Sequence, residues 1–450
     1  MHPENPHYFL WREKPSVLIT SGEHYGAVLN LDFNYQRYLD VLATNRFNLT
    51  RIFSGTYREV PGSFNITGNT LAPAPGRFIC PWPRSPIPGA TDGGNKFDLS
   101  RWDEKYFARL KDFLYAARQR GIIVELVLFC TMYDDAVWNA SPMNSRNNTL
   151  GLGNVGKYEV FSGQDAALQS VQQALVEKLV RELNEFDNLY FEICNEPYER
   201  GGLTRRWNDR IIDTIVATEE SLPNKHLIAQ GFPPSPDSVQ DLHPAISVLN
   251  FHAAKPEAVQ RNFNLRKAIA FDETGGSDQS DRKYRSEGWR FMLAGGSVYN
   301  HLDFSFTTDR PDGSAIPLPK GTPGGGGPEL RRQLRILKEF IERFDFVKMS
   351  LDHSVIKAAR FRGVPPSIGG GSDVRVLSKP GEAYAIYVNV GTGVEMDLEL
   401  PRGHYRSAWI NPRTGVVEQN NDFNCLNGNQ TLRSPDYLED IALRVTRVKP

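Results

Sequence analysis

Eight short apolar segments alternate with amphipathic helical stretches over the first three-quarters of the chain, and no other feature restricts the fold as strongly. The segments are SVLIT (16–20), LTRIF (49–53), IIVELVLF (122–129), LYFEI (189–193), HLIAQ (226–230), ISVLNF (246–251), AIAF (268–271) and SVYNHL (297–302). Strands separated by helices pair in parallel, because only a long crossover returns the chain to the same end of a sheet. Eight such units predict a closed (β/α)8 TIM barrel. The intervening helices carry one apolar face each, with Leu168, Val171, Leu175, Leu179 and Leu183 in one and Leu330, Leu334, Leu337 and Ile341 in the last. YFLWREKPSVLIT, ahead of the first unit, predicts a hairpin that plugs the barrel floor.

At 450 residues the chain is longer than a barrel of about 250 residues needs. After FIERFDFVKMS the period changes to the alternation of strands, in AYAIYVNV, VEMDLEL, YRSAWI and IALRVTRV, parted by Gly, Pro and Asn turns. The expected division is a barrel with its hairpin over residues 1–350 and a small all-β sandwich over 351–450.

The 52 Lys and Arg nearly cancel the 53 Asp and Glu, so no long-range field gathers nucleic acid or anionic lipid, and an uncharged partner is expected. No apolar run approaches the length of a bilayer span, and the N-terminus MHPENPHYFLWREKP lacks the pattern of a signal peptide. Location stays open between the cytoplasm and secretion with a signal removed. Cys80, Cys130, Cys194 and Cys425 have neither metal-type spacing nor the density of a disulfide framework.

YFEICNEPYER (190–200) is an apolar strand that ends by presenting Asn195 and Glu196 together, and AFDETGG presents Glu273 at the end of the seventh strand. Strand ends of a barrel share one mouth, where loops carry function. Two carboxylates about 5 to 5.5 Å apart are what retaining glycoside hydrolysis requires, one as nucleophile and one as acid then base. CNEP on strand four, DETG on strand seven and TRIF on strand two resemble clan A of the glycoside hydrolases, particularly the cellulase-like family five and its relatives. The resemblance covers the whole barrel. It implies a retaining β-glycoside hydrolase with Glu196 as acid/base, Glu273 as nucleophile, Asn195 on the sugar 2-hydroxyl, Arg51 steadying the nucleophile, and no metal or organic cofactor. The trailing β-domain is similar to the sandwiches often attached to such barrels.

The chemistry asks for these types independently. Positive charge develops beside the nucleophile, so Glu273 must be ionised, and a neighbouring guanidinium favours that form. Glu196 is expected to need the opposite treatment, a carboxyl raised by apolar walls and by nearby negative charge so that it keeps its proton. Asp272 is the rival nucleophile, but strand alternation points it away from Glu273.

Two departures bear on the sugar site. Strand six of the cellulase-like enzymes tends to end in His-X-Tyr, whereas NFHAAKP gives His252 and two alanines; strand eight usually presents a tryptophan, whereas SVYNHLDFSF offers Tyr299, Asn300 and His301. His252, Tyr299 and Asn300 are therefore candidate sugar contacts, as is His24 in SGEHYG at the end of strand one, since strand ends at this mouth are functional ground. Trp82, Trp138, Tyr57 and Tyr133, in the loops after strands two and three, are candidate stacking platforms. The long loop after strand two suggests a walled pocket, hence action on a chain end or a short glycoside. GTPGGGG (321–327) reads as a mobile lid or as a plain flexible connector. The competing readings are a carbohydrate-binding barrel that has lost catalysis, and a metal-dependent hydrolase, which would want a ligand cluster that His24, His252 and His301 do not form along the sequence.

Overall fold

The computed structural model describes residues 1–198, 203–234, 238–274, 276, 278–364 and 374–448. Eight parallel strands form one sheet: β1 Leu18–Gly22, β2 Leu49–Phe53, β3 Ile123–Cys130, β4 Leu189–Asn195, β5 Leu227–Phe232, β6 Ile246–His252, β7 Ala268–Glu273 and β8 Val298–Leu302. Pairing runs in chain order from β2 to β8, and β8 then pairs with β1, Asn300 opposite Thr20. This is the expected TIM barrel, closed except for one seam. Between β1 and β2 there is no ladder; the Asn48 side chain bridges instead, accepting from Ile19 N (3.1 Å) and donating to Val17 O (2.8 Å).

The helices form where the sequence supplies both a cap and an apolar stripe. Asp165 accepts from the Leu168 amide and opens Ala166–Leu183, which buries Leu168, Leu175, Leu179 and Leu183. Pro328 begins Pro328–Ile341, at a position where its missing N–H costs nothing. Among the described residues no helix is long and apolar enough to cross a membrane. All four cysteines are buried free thiols.

Phe9–Trp11 and Lys14–Ser16 form the N-terminal hairpin. Phe9 shares one apolar cluster with Leu18, Leu49, Ile123, Val248, Ala268 and Val298 near the strand starts, so the hairpin covers the floor. Above this apolar plug the interior turns polar: Thr20, Arg51, Glu125, Glu192, Asn250, Asp272 and Asn300 are each 1% exposed or less. A barrel core is ordinarily filled with bulky branched side chains. Charged groups at this depth need partners, and they find them in one another below the mouth.

Beyond the barrel a six-stranded antiparallel sheet (Ser350–Leu351, Val374–Lys379, Ala383–Val388, Ile441–Arg447, Gly403–Ile410, Val417–Cys425) lies with a three-stranded one (Ile356–Arg362, Gly393–Glu399, Asn429–Arg433). Val376, Ile386, Met396, Leu398, Trp409 and Leu443 share the core of this sandwich. It is tied to the barrel by Trp289 stacked on Tyr387 (5.3 Å) and by buried Arg285, which donates to Asp440 (2.9 Å) and Glu439 (2.6 Å).

Candidate active site

Parallel pairing brings every strand's carboxyl end to one mouth, and there a pocket of about 230 Å³ opens. Glu196 and Glu273 both line it, as do Asn195 and His24. One carboxylate oxygen of Glu196, one of Glu273 and a ring nitrogen of His252 lie within 4.8 Å of one another. Arg51 is the hub beneath them. Its Nη1 donates to Glu273 Oε2 (3.2 Å), its Nη2 to Asn195 Oδ1 (2.7 Å) and to Glu192 Oε2 (2.5 Å), and its Nε to Glu192 Oε2 (2.8 Å). Asp272 Oδ2 is 3.4 Å from the same Nε. A flat guanidinium with five donors can serve several acceptors at once, which an ammonium cannot.

A bulge explains why Asp272 is here. β6 and β7 pair Phe251 with Phe271 but His252 with Glu273, so Asp272 is an extra residue on its strand. Alternation is broken at that point. Both acids consequently approach Arg51, Asp272 inside the barrel and Glu273 at the pocket.

Glu196 is held by two donors: Tyr133 Oη (2.6 Å, to Oε2) and His252 Nδ1 (3.0 Å, to Oε1). Burial pushes its carboxyl up, but the bond and charge of His252, with Tyr133, outweigh burial and hold it below the ordinary carboxylate range. This corrects the sequence-based expectation of a raised carboxyl, which counted the apolar walls and not the imidazole. Burial pushes His252 down, yet the Glu273 charge, the Glu196 bond and Asp272 carry it up to about 9. Both directions put the proton on the imidazole, so His252 and Glu196 form an ion pair across one hydrogen bond.

The backbone at Glu196 is left-handed (φ 47°), as is Ala253 (φ 46°) after β6. Such conformations persist only where the surroundings fix them. Thr131 Oγ1 donates to Glu196 O (2.7 Å), and Ala253 N donates to Glu273 O (3.0 Å).

His24 and His252 both reach the site, His252 through the contacts above and His24 at the pocket wall. Of the four loop aromatics, Tyr57 and Tyr133 line the pocket. Trp82 and Trp138 lie elsewhere and need correcting. Trp82 is 1% exposed and stacks on Trp102, and Trp138 is 3% exposed with Nε1 donating to Val155 O (2.8 Å). Both fill the interior of the loops they belong to. Tyr299 and Asn300 are corrected likewise. The Tyr299 hydroxyl donates outward to Tyr284 O (2.7 Å), and Asn300 Nδ2 donates to Asp272 O (2.8 Å) inside the barrel. What β8 sends to the pocket is Leu302 and Phe304, at and just past its end.

Sequence reasoning also missed Glu59, Phe64, Ile66 and Leu71 from the loop after β2, and Pro323 and Gly324 from the glycine run. That run is no slack connector. A side chain at Gly324 would strike Phe304, and one at Gly326 would sit on Asp303, so the loop lies flat against the ends of β8.

Two groups have donor sets a cation could use, Glu192 with His252 and Asp272, and Glu196 with His252 and Glu273. Arg51 already supplies positive charge to both, within 3.4 Å of Glu192, Asp272 and Glu273.

The buried acids make stability depend on pH with a definite sign. Burial, reinforced by neighbouring acids, pushes Glu125, Glu192 and Asp272 each up to about 7. Unfolded, such groups ionise near about 4, so the folded chain binds more protons between these values and loses stability as pH climbs through them. His252 acts in the same direction. Its raised value contributes fully below about 6.5, the unfolded value, and its contribution is lost as pH rises through the folded one. Melting temperature should therefore fall from pH 5 to pH 9.5, and Glu125→Gln should flatten the lower half of that fall. A melting temperature that climbs steadily over the range contradicts the assignment.

A (β/α)8 barrel with an Asn-Glu pair ending its fourth strand and a facing Glu ending its seventh defines the class of barrel glycoside hydrolases. A family model described as cellulase (glycosyl hydrolase family 5) matches residues 32–262. The chain belongs to glycosyl hydrolase family 5. Among solved structures it resembles a glycoside hydrolase with 13% identity and a TM-score of 0.64, covering 99% of this chain and 96% of that one. A glycoside hydrolase family 5 protein of Bacteroides vulgatus ATCC 8482 gives 11% identity and a TM-score of 0.64 over 99% and 92% of the two chains. At such identities the likeness is one of fold. A search of curated proteins by sequence found no match.

Proposed function

We propose that this chain is a retaining β-glycosidase acting on the chain end of a saccharide or on a short glycoside, with residues 1–350 as its catalytic barrel and 351–450 as an attached sandwich. The observation that carries the reading is the approach of Glu196 and Glu273 to within 4.8 Å, oxygen to oxygen, across one pocket. Inverting enzymes hold their carboxyls about 6.5 to 9.5 Å apart to admit a water, and retaining ones hold them closer.

In the first step a Glu273 oxygen attacks the anomeric carbon. The bond to the leaving oxygen breaks, and that oxygen takes a proton from Glu196. In the second step Glu196 takes a proton from water, whose oxygen displaces Glu273 and restores the starting configuration. Arg51 donates to Glu273 Oε2 (3.2 Å) and places that oxygen at the pocket, and its bond to Asn195 Oδ1 orients that amide, whose Nδ2 also donates to Tyr133 Oη (2.8 Å). The proton that Glu196 delivers comes from the pair it forms with His252.

The pocket supports a chain-end substrate, for its volume lies below the roughly 300 to 1,000 Å³ of sites for drug-sized ligands, and the loop after β2 walls it. Incubation with an activated 2-deoxy-2-fluoro β-glycoside tests the reading. A glycosyl adduct on the peptide that contains Glu273 is expected, and its absence across a panel of sugars would refute it.

The pH profile offers a second test. With His252 in place, the pair keeps its proton until about pH 9, so the alkaline limb of kcat/KM should lie high. In His252→Asn the proton must sit on Glu196 alone, and the limb should move to lower pH. An unmoved limb would separate His252 from the proton transfer.

A further inference from the structure

Among the described residues the pocket walls are unevenly built, and the asymmetry gives the bound sugar a direction. The ends of β1, β2, β3, β4, β7 and β8, with the loops that follow them, contribute to the lining, whereas the described residues of β5 and β6 contribute none. On the proposed function above, Glu196 at the end of β4 faces the leaving group, which then departs over the β5 and β6 side. The body of the retained sugar points the opposite way, toward β1, β2 and β8. At that side stand Tyr25, Tyr57, Glu59, Leu71 and Leu302, all lining the pocket and all 4% exposed or less.

One of these wall residues is charged. Glu59 is drawn in by a loop that closes on itself, Glu59 N donating to Leu71 O (2.8 Å), and its carboxylate is fixed by three donors. Tyr57 Oη reaches Oε1 at 3.1 Å, His24 Nε2 lies 3.4 Å from the same oxygen, and Asn69 Nδ2 donates to Oε2. An ionised carboxylate offers about four acceptor sites, so a ligand hydroxyl can still be received. Burial opposes its ionisation, but His24, Asn69 and Tyr57 outweigh it and keep Glu59 below the ordinary range. His24, stacked on Tyr25 and tilted against Phe304, is raised by Glu59 and Glu273 against burial.

We propose that Glu59, steadied by His24, Tyr57 and Asn69, accepts hydrogen bonds from the hydroxyls at the non-reducing end of the retained sugar and confines the enzyme to a terminal, neutral pyranose. A uronic acid would bring a second carboxylate against Glu59 and is disfavoured. A further sugar attached at the hydroxyls facing Glu59 meets that carboxylate, which is 4% exposed and lines both this pocket and a second cavity of about 660 Å³. The proposal rests on the glycosidase reading, since the direction of the sugar follows from the role given to Glu196.

The test compares an aryl β-glycoside with its 3-, 4- and 6-deoxy counterparts in the wild type and in Glu59→Ala and Glu59→Gln. Losing a hydrogen bond to a charged group should lower wild-type kcat/KM roughly 10- to 100-fold for at least one deoxy substrate. In Glu59→Ala the parent substrate should suffer a similar loss while the same deoxy substrate suffers little more. If every deoxy penalty is as large in the variants as in the wild type, the proposal is overturned. The unaltered enzyme supplies a check that needs no variant. On an oligosaccharide labelled at its reducing end, single residues should leave from the other end, and internal cleavage overturns the proposal. Trapping on Glu273 separates the two readings: without an adduct the glycosidase reading falls, whereas an adduct with undiminished deoxy penalties sinks only the role of Glu59.

Discussion

Glu273→Gln should reduce turnover of an aryl β-glycoside by about 10⁴-fold or more while leaving the fold in place, on the scale seen when a catalytic group is deleted. An amide neither attacks the anomeric carbon nor offers negative charge to the oxocarbenium-like transition state. The fold should survive because the Glu273 side chain is 21% exposed and its described side-chain contacts are one hydrogen bond from Arg51 and a 3.6 Å ion pair with His252. Circular dichroism and the melting temperature would report the fold, and initial rates the chemistry. In Glu273→Ala, added azide should restore partial activity by attacking from the vacated face and yield the α-glycosyl azide. Activity within tenfold of the wild type in either variant would remove Glu273 from the mechanism.

Arg51→Met should lose both stability and activity, which sets it apart from Glu273→Gln. Arg51 is the guanidinium shared by Glu192, Asp272 and Glu273, and its removal leaves Glu192 and Asp272 at zero exposure without it. Removing one partner of a buried ion pair costs about 3 to 5 kcal/mol, because the other charge stays buried or must take up a proton. Denaturant titration would measure that loss. Arg51→Lys should recover only part of it, since an ammonium cannot reproduce the forked contacts to Glu192, Asn195 and Glu273. Adding Asp272→Asn to Arg51→Met should return some stability by removing an unpaired acid. If the double variant is no more stable than Arg51→Met, the electrostatic account of this layer fails.

The barrel was legible because its signals are local. Each strand is an apolar run of a few residues, each helix has a stripe and a cap, and eight repeats leave few ways to close a sheet. The places of Glu196, Glu273 and Asn195 were legible for a related reason, because a strand end is a defined place on a barrel and each lies at or just past one, whereas Arg51 sits in the middle of Leu49–Phe53 and was picked out by the TRIF motif. What stayed hidden was set by contacts distant in sequence. The bulge that turns Asp272 inward lies in a pairing between two strands, and neither strand records it alone. The His252–Glu196 bond spans 56 residues and reverses the expected direction of the acid. Glu59 looks like an ordinary polar loop residue until the 60–70 segment folds back and buries it. Trp82 and Trp138 drew attention for size and ring chemistry, yet long loops need cores of their own, and these two residues supply them.

The glycine run at 321–327 has a consequence for how a ligand is enclosed. Its residues are small so that backbone can lie against Phe304, Tyr284 and Asp303, which makes this stretch masonry and not a flap. Such an enclosure is completed by the guest itself, with the sugar's own faces expelling solvent from the space between the acids. On the hydrolysis proposed above, this stretch of the wall need not swing aside for the product to leave.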